Sequence, residues 1–291
     1  MSSPQTISLR QAPRRFSSSR LGAMRLLART ARMCGGRGLY RRRHLAPGRF
    51  EIRREVVSVP GLAPDLEGLR CVQLSDLHAG PFLGRGDLSA VVEAANALGP
   101  DLVFLTGDLI THEWREALVV LDDLGRLTPR LATLAVFGNH DYHGREEGRI
   151  VEAYRERGID FLRNEARRIA VGAATVAVVG LEDLEEGKVV DPAPARAGVQ
   201  PGDLELVLCH NPAGGPPLAR PGCAAVFSGH THGGQLDLPV LRRQGPSHPG
   251  LRLRLGGTTL IVSRGLGSVG LPLRIGAPTD IVLATFTGEG A

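Results

Sequence analysis

From Glu51 onward, short apolar runs alternate with amphipathic stretches. Nine runs of four to six residues, rich in β-branched side chains and bounded by Gly, Pro, Asp or Asn, predict strands. They are Val56–Val59, Leu69–Leu74, Leu102–Thr106, Ala132–Phe137, Thr175–Val179, Leu204–Leu208, Ala224–Phe227, Thr258–Val262 and Ile281–Phe286. The amphipathic stretches predict helices over Leu88–Leu98, with Asp87 as N-cap, over about Glu113–Arg126 and over about Glu146–Arg157. Strand–helix alternation in the first half predicts an α/β layered fold with parallel neighbouring strands. The second half has more strands and fewer helices, with Gly/Pro-rich loops at Pro212–Pro217 and Pro246–Pro249. The pattern contains no internal repeat and no second boundary within the body.

Composition bounds this picture. With 291 residues and 42% hydrophobic positions, the chain has enough apolar surface for one large domain and is not wholly disordered. Aromatics are only 4% of it, so Val, Leu, Ile and Ala must build the core. No apolar run approaches the roughly 20 residues needed to cross a bilayer. The four cysteines, Cys34, Cys71, Cys209 and Cys223, lie far apart with no C-x-x-C pair, which argues against a cysteine zinc site or a disulfide scaffold.

Charge divides the chain near residue 50. Residues 1–50 hold twelve arginines and no carboxylate, so of a net +5 the remainder, 51–291, carries −7. Residues 51–291 are expected to form the catalytic domain, and residues 1–50 a basic N-terminal segment. Four readings of that segment are open. Arg14-Arg15-Phe16 resembles a twin-arginine export signal, although Arg25, Arg29 and Arg32 interrupt the apolar stretch that should follow. On a helical wheel Leu21, Met24, Leu27, Ala28 and Ala31 share one face with those arginines on its flank, as in a helix lying on an anionic membrane. Nucleic-acid binding is disfavoured, because Phe16 and Tyr40 are the only stacking groups before Phe50. The plainest reading is a solvated basic extension, or a chain whose true start is Met24. The expected location is cytoplasmic, with peripheral contact at the inner membrane surface.

The chemistry gathers at strand ends. Ser75-Asp76-Leu77-His78, Gly107-Asp108, Gly138-Asn139-His140-Asp141, Cys209-His210-Asn211 and Ser228-Gly229-His230-Thr231-His232 each follow a predicted strand. In α/β sheets those carboxyl ends share the edge where ligands bind. Two carboxylates, an amide oxygen and several imidazoles without a thiolate suit Mn, Fe, Zn, Ni or Co. If these segments are extended, Asp76 with His78, and His230 with His232, each aim two ligands at one centre. There are too many donors for one tetrahedral ion, whereas two ions about 3.5–4 Å apart and sharing a carboxylate form the clamp used in phosphoryl displacement. Taken singly, Asp76 and Asp108 read equally well as caps, and Asn139 as a turn residue. His112, His143 and His248 fit no such position and read as surface residues, His143 within reach of a substrate, while Asp183 reads as a loop cap.

D-x-H, G-D, G-N-H-D, an isolated His and G-H-T-H, in this order, resemble the calcineurin-like metallophosphoesterase superfamily over about Val56 to Phe286. G-H-T-H-G-G-Q at Gly229–Gln235 and S-R-G-L-G at Ser263–Gly267 are most similar to its bacterial, often membrane-associated branch, which includes proteins similar to UDP-2,3-diacylglucosamine pyrophosphatases. The resemblance implies a four-layer α/β sandwich of two mixed β-sheets flanked by helices. It implies two divalent metal ions, one held by Asp76, His78, Asp108 and His232, the other by Asp108, Asn139, His210 and His230, with Asp108 as the bridge. A hydroxide between the ions would attack phosphorus in line, and His140, oriented by Asp141, would serve the leaving oxygen as general acid. The implied activity is hydrolysis of a phosphodiester or pyrophosphate bond, with a nucleotide-linked lipid as one substrate.

Two alternatives stand beside it. One is a soluble phosphodiesterase or phosphatase acting on a cyclic nucleotide or phosphoprotein. The other is a non-catalytic, metal-stabilised module that docks on membrane or nucleic acid, against which His140 argues because its assigned role is chemistry and not ligation. Gly265–Gly270 matches G-x-G-x-x-G, but Leu271-Pro272 stops the helix a dinucleotide site requires, so it reads as a Gly-rich loop near the site.

Overall fold

The computed structural model describes residue 9 and residues 18–237 and 250–289. Arg14-Arg15-Phe16, the Pro246–Pro249 loop and His248 lie outside these. All nine expected strands form, among twelve: β1 Glu51–Val59, β2 Arg70–Leu74, β3 Leu102–Thr106, β4 Ala132–Val136, β5 Ile159–Phe161, β6 Glu165–Val171, β7 Ala174–Gly180, β8 Leu204–Leu208, β9 Cys223–Ser228, β10 Arg252–Leu255, β11 Thr258–Val262 and β12 Asp280–Gly288. They build two six-stranded sheets, ordered β1-β12-β2-β3-β4-β5 and β10-β11-β9-β8-β7-β6. Both are mixed: β2, β3, β4 and β5 run parallel while β12 is antiparallel to β2. In the second sheet β7, β8, β9 and β11 are parallel, with antiparallel β6 and β10 at the edges.

Alternate residues of each central strand face different cores, which is why these strands read as continuous apolar runs. Leu102 and Phe104 of β3 point between the sheets with Leu206 of β8 and Phe227 of β9; the Phe104 and Phe227 rings meet at 5.0 Å between centroids. Val103 and Leu105 point the other way, onto the first helical layer. That layer contains α3 (Ser89–Ala97), α4 (Trp114–Val119), α5 (Leu121–Leu124) and α6 (Glu147–Arg155), which follow α1 (Ser18–Met33) and α2 (Gly36–Tyr40) in the chain. On the second sheet's outer face, Val179, Val207 and Val226 pack with Ala195 of α7 (Pro192–Arg196) and Leu218 of α8 (Gly215–Leu218). The architecture is the expected four-layer α/β sandwich.

Two helix expectations need correction. Asp87 does not cap α3: its Oδ2 accepts from the Gly84 amide at 2.8 Å and from Arg37 Nε at 2.6 Å, and Leu88 precedes the helix without a side-chain cap. The stretch Glu113–Arg126 is not one helix but α4 and α5, divided at Val120. Glu113 and Glu116 form a capping box at the start of α4, which accounts for its position.

The basic segment is seated on the domain from α1 onward. Ala28 is buried and Ala31 packs beside it on the same core as α3 and α6, while Tyr40 and Leu45 are fully buried. The expected apolar wheel face is therefore divided: its two alanines turn onto the body and Leu27 stays exposed, while the side chains of Leu21 and Met24 lie outside the described set. The residues that α1 turns outward are Met33 at 87% and Leu26 at 67% exposure, with Leu27 at 49%. Among the described residues, no helix is long and apolar enough to cross a membrane. Replacing Tyr40 by Ala is expected to cost about 3–5 kcal/mol, the range for emptying a buried aromatic site. Urea denaturation reads this directly, and an unchanged midpoint would mean that α2 contributes nothing to stability.

Candidate metal centre

Asp76 and His78 follow β2, Asp108 follows β3, and Asn139 follows β4, all from the first sheet. His210 follows β8, and His230 and His232 follow β9, from the second. The carboxyl ends of both sheets thus contribute, as the sequence pattern predicts. The local backbone differs from expectation. Asp76 (φ 48°), His78 (φ 44°), Asp108 (φ 53°), His230 (φ 68°) and His232 (φ 52°) are all left-handed and not extended. Five of seven expected ligands therefore adopt a conformation that costs an L-residue about 1–2 kcal/mol.

Hydrogen bonds around the ligands hold them there. The amides of Asp76 and His78 donate to the carbonyls of Gly107 (3.0 Å) and Asp108 (2.9 Å), and the His230 amide donates to the Asp76 carboxylate at 2.9 Å. Strain of this kind collects at functional sites, where the surrounding structure over-determines it. Two glycines are required by close approach. A Cβ on Gly138 would stand 2.5 Å from the Asp108 nitrogen, and one on Gly107 would stand 2.6 Å from His210 Nδ1.

Two overlapping donor groups result. Asp76, His78, Asp108 and His232 present ligand atoms within 4.8 Å of one another, as do Asp108, His210 and His230. In the first, His78 Nε2 lies 3.0 Å from His232 Nε2 and 3.4 Å from Asp108 Oδ2, and His232 Nε2 lies 3.5 Å from Asp76 Oδ1. In the second, Asp108 Oδ2 lies 3.3 Å from His210 Nε2, and His230 Nδ1 stands 3.0 Å from Asn139 Oδ1. Asp108 Oδ2 belongs to both groups, because Oδ1 is occupied by the His140 amide at 2.8 Å.

The donor set fits divalent cations. His210 donates Nδ1–H to the Thr106 carbonyl at 2.6 Å, which fixes its tautomer, and its buried Nε2 has no hydrogen-bond partner. Nε2 is thus the nitrogen that faces Asp108 Oδ2, a place that either a proton or a cation can fill. The charges agree. Burial raises the Asp76 carboxyl to about 6, with His210 opposing and Asp108 adding to the rise. Burial alone would raise Asp108 too, but His210, His140 and His78 together hold it well below the ordinary carboxylate range. His78 and His232 are depressed by burial and by cationic neighbours. His210 is raised against its burial, chiefly by the Asp108 carboxylate.

His140 sits beside these groups, its ring edge-on to His78 with centroids 4.6 Å apart. Asp141 does not orient it. The Asp141 carboxylate is fully buried and accepts from the amides of Leu109 (2.8 Å), Ile110 (3.2 Å) and Gly138 (2.8 Å), so it shapes the loops carrying Asp108 and Asn139. The group that orients His140 is the Thr111 carbonyl, which accepts its Nδ1–H at 3.0 Å and that of His143 at 3.2 Å. His143 is exposed and His112 half-buried. Asp183 caps its loop as expected, accepting from the amides of Glu185 and Glu186 at 2.9 Å.

The sequence pattern missed Arg274. It is buried, and its Nη2 lies 3.0 Å from His232 Nδ1 while Nη1 donates to the His232 carbonyl at 3.4 Å. The Gly-rich loop expected near the site lies directly beneath it. The amides of Leu266 and Gly267 donate to the carbonyls of Ser75 (3.0 Å) and Asp76 (2.7 Å).

Comparison with known proteins agrees with this geometry. The family model described as "Calcineurin-like phosphoesterase" matches residues 69–234, more than half of the chain. A Danio rerio "Transmembrane protein with metallophosphoesterase domain" is 32% identical over 77% of this chain and 54% of its own length. "Uncharacterized metallophosphoesterase YkuE" of Bacillus subtilis is 27% identical over 94% of this chain and 96% of its own. "Phosphodiesterase YaeI" of Escherichia coli is 30% identical over 67% and 71%. The chain spans about half the length of the zebrafish and cattle relatives it matches, 54% in each case. The chain belongs to the calcineurin-like phosphoesterase family.

A cation entering the second group displaces the proton that Asp108 keeps on His210. Apparent Mn²⁺ affinity is therefore expected to fall as pH falls, by about tenfold per unit while one proton is exchanged. The fall should steepen below about pH 6, where Asp76 also takes a proton. Mn²⁺ titrations between pH 5.5 and 8 check this, and a flat profile contradicts it.

Proposed function

We propose that this chain hydrolyses a phosphodiester or pyrophosphate bond using two divalent cations, on a substrate presented at an anionic membrane surface. The observation that carries the reading is Asp108 Oδ2, one oxygen within 3.4 Å of His78 Nε2 and 3.3 Å of His210 Nε2. Sharing of this kind suits two adjacent cations as well as two imidazolium protons, and the further donors gathered on each side favour the cations. Asp76, His78 and His232 complete one ligand set, and Asn139, His210 and His230 the other. Bound there, the cations supply Lewis acidity to the phosphoryl oxygens and acidify the attacking water.

The chain's own part in the chemistry falls to His140. Thr111 holds its Nδ1–H and Asp108 Oδ1 holds its amide, so Nε2 is the nitrogen left to carry the second proton of an imidazolium and give it to the leaving oxygen. Asp141 supports this indirectly, by ordering the backbone on either side of Asp108 and Asn139. A binding module without turnover has no use for a tautomer-fixed imidazole beside the ligands.

The membrane reading rests on the outer edge of α1. Met33, Leu26 and Leu27 are exposed there, with Arg25, Arg29 and Arg32 exposed on the flank. Apolar insertion beside arginines is the pattern of an interfacial helix on anionic lipid. A nucleotide-linked lipid is the substrate class that unites this edge with the centre.

With Mn²⁺, the protein is expected to turn over bis-p-nitrophenyl phosphate. Asp108→Ala should abolish turnover and lower the uptake of both ions. His140→Ala should retain both ions and lose about 10²–10⁴-fold in kcat. Turnover that survives Asp108→Ala removes the bridge, and no turnover with any divalent metal leaves a binding module. Leu26→Ser with Met33→Ser should weaken binding to phosphatidylglycerol vesicles without changing hydrolysis of the soluble substrate; unchanged vesicle binding ends the membrane reading.

A further inference from the structure

The loop after β7 carries four carboxylates within five residues, Glu182, Asp183, Glu185 and Glu186. Two of them turn to structural tasks: Asp183 caps the loop and Glu182 pairs with Arg163 at 2.6 Å. Glu185 is different. It is buried, and its Oε1 lies 3.5 Å from His230 Nε2 and 3.3 Å from Asn211 Nδ2. The Asn211 amide cannot turn away, because its Oδ1 accepts from the Ala213 amide at 3.0 Å. The carboxylate is thus held in place from behind, facing the far nitrogen of an imidazole whose near nitrogen faces Asn139.

That near nitrogen, Nδ1, stands 3.0 Å from Asn139 Oδ1. A neutral imidazole carries one proton and one lone pair. Were the proton on Nδ1, the lone pair on Nε2 would face an anionic oxygen, acceptor against acceptor. With the proton on Nε2, it faces the carboxylate, and Nδ1 and Asn139 Oδ1 become two acceptors aimed at one point. A cation between them resolves that opposition.

Resting on the dinuclear reading above, we propose that Glu185 is the positioning residue of the second cation subsite. Its carboxylate takes the Nε2–H of His230, which keeps the Nδ1 lone pair directed at the ion and makes it more basic. Carboxylate partners behind ligating histidines change metal affinity by about 10–100-fold in other sites.

The test uses the full chain, stripped with chelator and titrated with Mn²⁺ by calorimetry, with bound ions counted by electron paramagnetic resonance. Wild type should take up two ions. Glu185→Ala should bind the weaker ion about 10–100-fold less tightly and leave the tighter one unchanged, and Glu185→Asp should recover part of the loss. Glu185→Gln keeps the shape and removes the charge, so it gives a smaller loss should Ala disturb folding. In the Zn²⁺-loaded wild type, ¹⁵N shifts should report His230 protonated at Nε2, and the Nε2 shift should move in Glu185→Gln, a change that a glutamate acting only on the loop would not produce. Two ions bound by Glu185→Ala as tightly as by wild type, or a loaded His230 protonated at Nδ1, overturns the inference alone. Wild type that takes up no ion overturns the dinuclear reading and this inference with it.

Discussion

The structure depends on a collision of like groups: buried acceptors and carboxylates from two sheets are forced to one point. Asp76 and Asp108 are within 2% of complete burial, and His78, His210 and His232 are no more than 9% exposed. Charged groups so placed are costly unless paired. Without a cation, the protein offsets the cost with protons, keeping one on His210 and raising Asp76 toward a neutral form. The arrangement is better understood as a cavity for positive charge than as a polar core that happens to contain histidines.

Nothing in the two sheets resists this convergence, because the sheets are stabilised elsewhere. The apolar core between them, centred on Phe104 and Phe227, ends before the ligand loops begin. The loops can then take left-handed backbone at five ligand positions without disturbing strand register. What they require is space: Gly107 and Gly138 let the β3 and β4 loops pass against one another, and Gly229 stands where a Cβ would meet Ser75 and Asp76. Gly138 and Gly229 are therefore explained by close contact with the ligand loops, whereas Gly107, at φ 89°, also needs the left-handed backbone that favours glycine.

How far the amino-acid order revealed this follows from the same physics. Most of the nine expected strands were legible because burial on both faces leaves few polar residues, while the edge strand β1 was legible only at its apolar end, Val56–Val59. Edge strands β6 and β10 were not, since they are exposed along much of their length and carry Arg167, Arg168, Arg252 and Arg254. The ligands were legible as polar residues at strand ends, whereas their left-handed backbone was not, because Asp and His carry no sign of it. Asp141 was assigned to His140 by adjacency. The partner that holds His140 is a main-chain carbonyl at Thr111, and a carbonyl has no signature in sequence. Glu185 was hidden among four acidic residues that read as a solvated loop. Arg274 and Tyr40 contact each other across 234 positions, a separation that no local pattern spans.

The Tyr40–Arg274 contact changes how the basic segment must be understood. Arg274 is 6% exposed, and the acceptors described around it are neutral: the Tyr40 hydroxyl and the carbonyls of Gly267, His232 and Ala277. A buried guanidinium without a carboxylate is tolerable only if its N–H groups are all accepted. Tyr40 supplies one of those acceptors and in turn donates to the Leu266 or Gly267 carbonyl. Its loss would leave Arg274 Nε with the Gly267 carbonyl as its remaining described acceptor, and would empty a buried site beside a guanidinium that donates to the His232 carbonyl. Charge alone suggested a division at residue 50. Packing shows instead that Tyr40 of α2 belongs to the frame around the metal centre, while Leu26, Leu27 and Met33 of α1 stay exposed.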